Sequence, residues 1–97
     1  MILTGKCKEK FLEWYNEPET YFYRLNKTCQ NALIIEWFDS VGIYIDVRIE
    51  FEDSFVLKTF NSYAEDDYVG NYSNRQEAIK QAIIKVNEIY NYNERTN

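Results

Sequence analysis

Ninety-seven residues, 45% hydrophobic and 18% aromatic, suffice for one core in a single domain and are too few for two. A formal net charge of −5, with Lys and Arg scattered along the chain, repels a phosphate backbone and disfavours nucleic acid as a partner. The absence of histidine excludes a Ser-His or Cys-His nucleophile and a histidine-based zinc site, and three isolated glycines leave no glycine-rich phosphate loop.

The first predicted element is a short amphipathic helix over 6–16, with Thr4 as N-cap and Cys7, Phe11, Trp14 and Tyr15 along one stripe beside Leu12. Asn16 and Pro18 end it, because the residue before a proline is pushed out of the helical region. The N-terminal ten residues hold no apolar signal segment, and no window reaches the length of a membrane span; both predict a cytoplasmic protein away from membranes. Cys7 and Cys29 then read as reduced, small helical hydrophobes. The aromatic stretch 19–26 fits either one helical turn or an ordered connector.

From Thr28, a second N-cap, Leu33, Ile34, Trp37, Phe38 and Val41 recur at helical spacing, and Gly42 suits the left-handed position that stops a helix. Beyond it the period switches to two. Ile43, Ile45, Val47, Ile49 and Phe51 alternate with Tyr44, Asp46, Arg48, Glu50 and Glu52, the pattern of a half-buried strand. Turn formers at 52–54 lead into a second strand at 55–60, where Phe55 and Leu57 compete with Val56 and Phe60 for the buried side. After a polar loop at 61–67 comes a short strand at 68–72, weakened or bulged by Gly70. Asn74 with Glu77 starts the last helix, whose apolar face is Ile79, Ala82, Ile83, Val86, Ile89 and Tyr90; Lys80, Lys85 and Glu88 mark its wet side. Residues 93–97 lose the pattern and are expected to fray.

These elements predict one α+β domain over 1–97, in the order α-α-β-β-β-α: an N-terminal helix and connector (1–27), a core over 28–92 and a tail. The expected architecture has two layers, a three-stranded antiparallel meander packed against two or three helices. The helix, meander, helix order over 28–92 is similar to the topology of the double-stranded RNA-binding domain. The lysine-rich start of that family's last helix is replaced here by Ser73, Asn74, Arg75, Gln76 and Glu77. The run from Ser73 to Asn91, with Glu36 to Ile45 earlier, resembles small bacterial proteins without an assigned activity that are often carried in prophage regions, which implies origin and fold rather than chemistry.

The acidic residues Glu50, Glu52, Asp53, Glu65, Asp66 and Asp67 match no calcium-loop spacing and read as solvated charge. No catalytic, metal or cofactor residue is assigned. Trp37 and Phe38 read as core, while Trp14 and Tyr15 are core or an exposed patch according to how the first helix docks. The outer sheet face and its surroundings supply the candidate partner-binding surface, Tyr44, Asp46, Arg48, Glu50, Tyr68 and Tyr72. Missing catalytic vocabulary and surplus tyrosine point to a non-enzymatic accessory or interaction module for a protein partner of unknown identity, as a phage-derived inhibitor would be. A nucleic-acid-binding domain is the alternative the topology offers, and a homodimer is a further use of the same face.

Overall fold

The computed structural model describes the backbone of residues 1–51, 54–60, 67–72 and 74–96, and the side chains of 1–45 and 74–94. In chain order the elements are α1 (Gly5–Tyr15), α2 (Glu19–Tyr23), α3 (Lys27–Ser40), β1 (Tyr44–Phe51), β2 (Ser54–Phe60), β3 (Asp67–Tyr72) and α4 (Arg75–Thr96). The expected turn residues Glu52 and Asp53, the loop at 61–66 with Tyr63, and Ser73 lie outside the described residues.

Two helix ends follow from local chemistry. Asn16 closes α1 in the left-handed region, at φ 55°, with its N–H donating to the Leu12 carbonyl. At the end of α3, Gly42 takes φ 81°, its N–H donates to Asp39 O, and the Ile43 N–H reaches back to Phe38 O at 2.9 Å. That pair of bonds is a Schellman motif, and its usual hydrophobic partners, Ile43 and Phe38, are both in the core. The start of α3 corrects the expected cap: Asn26, not Thr28, accepts the Cys29 N–H through Oδ1 at 2.9 Å. Buried Gln30 helps by donating from Nε2 to the carbonyls of Phe22 and Leu25, which fixes the approach of the chain and lets the helix begin earlier.

The sheet-centred α+β expectation is corrected. The helices run to 11, 5, 14 and 22 residues, 76% of the chain whose side chains are described is helical, and within that part the core is built by helix packing. Among the residues whose side chains are described, every core side chain except Leu3 and Ile43 belongs to a helix. Phe11, Phe22, Trp37 and Tyr90 interlock with ring centroids 5.3 to 5.9 Å apart, mostly edge to face or tilted. Four large rings from four helices meet in this core, which the alternation in β1 did not announce. The pivot of the molecule is α4, which touches α1 and α3 as well as all three strands. It buries Ala78, Ala82, Ile83, Val86, Asn87 and Tyr90, whereas Ile79 and Ile89 are only half-buried. The small alanines at 78 and 82 allow close approach by its neighbours. The helix also continues to Thr96, through the residues expected to fray.

The strands run antiparallel, β1 with β2 and β2 with β3. Val47 lies opposite Leu57 and Ile49 opposite Phe55, so Phe55 and Leu57 share a face with Ile45. Ile45 packs against the core cluster, which identifies that face as the helix side and resolves the facing of β2.

Candidate binding surface

The opposite face begins with Tyr44, which is 53% exposed. Register places Tyr44 opposite Phe60, Asp46 opposite Lys58 and Arg48 opposite Val56, then Lys58 opposite Tyr68 and Val56 opposite Asn71. Tyr44, Asp46, Arg48 and Tyr68 therefore share one face, and Lys58 stands between Asp46 and Tyr68 across the strands. Glu50 falls in the irregularity between Ile49 and Phe51, outside the regular ladder.

Tyr72 does not join them. A shift between Leu57 and Lys58 inserts one extra residue in β3, so Leu57 pairs with Gly70 but Lys58 with Tyr68. One extra residue inverts side-chain parity along a strand, and Tyr72, opposite Phe55, falls on the helix side although it is four residues from Tyr68. The glycine beside the shift is the signal that the sequence carried for it.

The N-terminal helices hold a second exposed aromatic group. Trp14 is 37% exposed with its ring 6.0 Å from Phe11, and Tyr15 is half-buried and stacked on Phe11, so α1 is packed on the core with Trp14 at its margin. Tyr21 and Tyr23 are each 47% exposed. The Arg24 guanidinium lies 5.6 Å from the Tyr21 ring centre. Tyr23 donates its hydroxyl proton to Glu19 at 2.8 Å, and Lys8 of α1 lies 3.2 Å from the same carboxylate oxygen. The Tyr23 hydrogen bond, followed by that of Lys8, lowers the Glu19 pKa, and Glu19 in return raises those of Lys8 and Tyr23. This trio ties α2 to α1.

A polar clamp joins α1 to α4, and sequence reasoning missed it. The Thr4 N–H donates to Asn87 Oδ1 at 2.9 Å, while Asn87 Nδ2 donates to Thr4 Oγ1 at 3.0 Å. One turn further on, Asn91 Oδ1 accepts the Cys7 N–H at 2.9 Å and Asn91 Nδ2 donates to the Thr4 carbonyl at 3.0 Å. The first turn of α1 is thus capped from another helix, and Thr4 uses its hydroxyl there instead of capping its own helix. Two asparagines four apart in a helix interior, where asparagine is a poor helix former, were the available signal.

The remaining chemistry is sparse. Burial pushes the Cys7 thiol up to about 12, whereas Cys29 is exposed. Among the described residues no cluster of three metal-ligating side chains occurs, and no helix is long and apolar enough to cross a membrane. A cleft of about 600 Å³ opens between the starts of α3 and α4, lined by Lys27, Thr28, Asn74, Glu77 and Lys80 among others. Asn26 and Asn74 already occupy helix-start N–H groups there. Compared with known proteins, the chain matches no family model, no curated protein and no solved structure.

Proposed function

We propose that this chain is a non-enzymatic interaction module that offers the face of Tyr44, Asp46, Arg48 and Tyr68 to a protein partner. One observation carries the reading: Tyr44 is 53% exposed while its neighbour Ile45 packs into the core, so the register sets charged residues and tyrosine together on the side away from the helices. Amphipathic aromatics flanked by charges of both signs suit recognition of a polar protein surface. An accessory or inhibitor protein of phage origin, docking on a host protein, would use such a face.

The test is affinity capture from a bacterial lysate followed by direct titration of the captured protein. Tyr44→Ala with Arg48→Ala should abolish binding, whereas Tyr92→Ala, at an exposed site on α4, should leave it intact. Equal binding by both variants would refute the assignment of the surface.

A further inference from the structure

We propose that the free edge of β1 pairs with β1 of a second copy in a single register, making the chain a symmetric dimer. This goes beyond the partner-binding reading and does not depend on it. Among the described residues β1 has one strand neighbour, β2, so over Tyr44–Phe51 its other edge meets no further strand. Such an edge is a template for another chain, and proteins guard it with proline, charged side chains, bulges or short length. Here the edge strand is eight residues long and contains no proline, and its charges Asp46 and Arg48 are of opposite sign, so they oppose pairing with an unrelated edge but not with a second copy in the matching register.

The sequence of β1 is complementary to itself about Val47. Antiparallel pairing on a twofold axis through that residue sets Asp46 opposite Arg48 twice, Ile45 opposite Ile49 twice, Tyr44 opposite Glu50, and Val47 opposite its copy. Neighbouring registers fail. Centring on Asp46 puts that aspartate opposite itself, and centring on Arg48 puts the arginine opposite itself and Asp46 opposite Glu50. A slip by one residue pairs positions of opposite parity, mating the helix side of one sheet with the outer side of the other. Charge and parity therefore select one register, whose regular part runs over 45–49 and ends at the irregularity that holds Glu50. In that register both copies keep their helices on one side, and the two outer faces become continuous.

Within one chain Arg48 lies opposite Val56, so Arg48→Asp breaks no cross-strand charge pair there. Asp46 lies opposite Lys58, so Asp46→Arg is made together with Lys58→Glu to preserve that pair. Sedimentation velocity of the full chain across a concentration series should show a reversible wild-type dimer. Arg48→Asp turns two attractive contacts into two repulsive ones and should weaken dimerisation about tenfold or more. Mixing it with Asp46→Arg/Lys58→Glu should restore association as a heterodimer, with far-UV circular dichroism establishing that each variant is folded. A wild type that stays monomeric at every concentration, an Arg48→Asp variant that dimerises as tightly as wild type, or two folded variants that do not associate would each overturn the proposal.

Discussion

Asn87→Ala tests whether the cap on α1 is supplied from α4. Asn87 is 7% exposed, so its amide sits where water cannot replace a lost partner. Truncation removes the acceptor of the Thr4 N–H and the donor to Thr4 Oγ1. Two net hydrogen bonds at about 1 kcal/mol each, with a partly unsatisfied N–H left behind, give an expected loss of about 2–3 kcal/mol. That is a large share of the roughly 5–15 kcal/mol of a domain this size, and urea melts followed by circular dichroism would measure it directly. Thr4→Val removes the hydroxyl but keeps the backbone N–H and carbonyl, so it should cost only about 1 kcal/mol. In the double mutant the two losses should overlap, with a coupling of at least about 0.5 kcal/mol, because both remove the same side-chain bond. Glu88→Ala, exposed on the same helix, serves as control and should stay within about 0.5 kcal/mol. If Asn87→Ala costs no more than that control, α1 is held by its apolar contacts and the clamp contributes nothing.

Gly42 and Gly5 both have positive φ but different surroundings. A Cβ at Gly42 meets nothing within 4 Å, so Gly42→Ala should cost only the left-handed backbone, about 1 kcal/mol by denaturant melts. A Cβ at Gly5 would lie 3.2 Å from Asn91 Oδ1, so Gly5→Ala should cost more and reduce hydrogen-exchange protection at Cys7. At mildly alkaline pH a thiol reagent should modify Cys29 in the native protein and reach Cys7 only after unfolding, because burial holds the Cys7 thiol protonated with a pKa near 12. Rapid native labelling of both would contradict the packing of α1. Glu19 should titrate by NMR below the ordinary glutamate range, and Tyr23→Phe should move it back up. A depressed carboxyl pKa means that the contact with α1 stabilises above the ordinary glutamate pKa and is lost as pH falls through the lowered one. An unchanged midpoint in Tyr23→Phe would show that Lys8 alone sets it.

Structure encoded within a few residues was legible in the sequence. Asn16 and Gly42 end helices because the left-handed conformation is a local property, and Asn74 starts α4 by accepting the Glu77 N–H three residues on, at 2.8 Å. The alternation from Ile43 to Ile49 likewise specified which residues of β1 share a face, but not for Phe51, because one extra residue in β1 sets it opposite Ser54 and inverts its parity. Relations between distant segments were not legible. The cap shared by Thr4, Asn87 and Asn91 joins residues more than 80 apart in sequence, and asparagine periodicity in α4 does not reveal which helix will present its bare N–H groups. The face of Tyr72 depended on one residue inserted in β3 relative to β2, a property of the pair rather than of either strand. Where the core lies was decided in the same way. Apolar pattern says that a face must be buried, but only packing determines against what, and among the described side chains the rings of α1, α2, α3 and α4 meet one another.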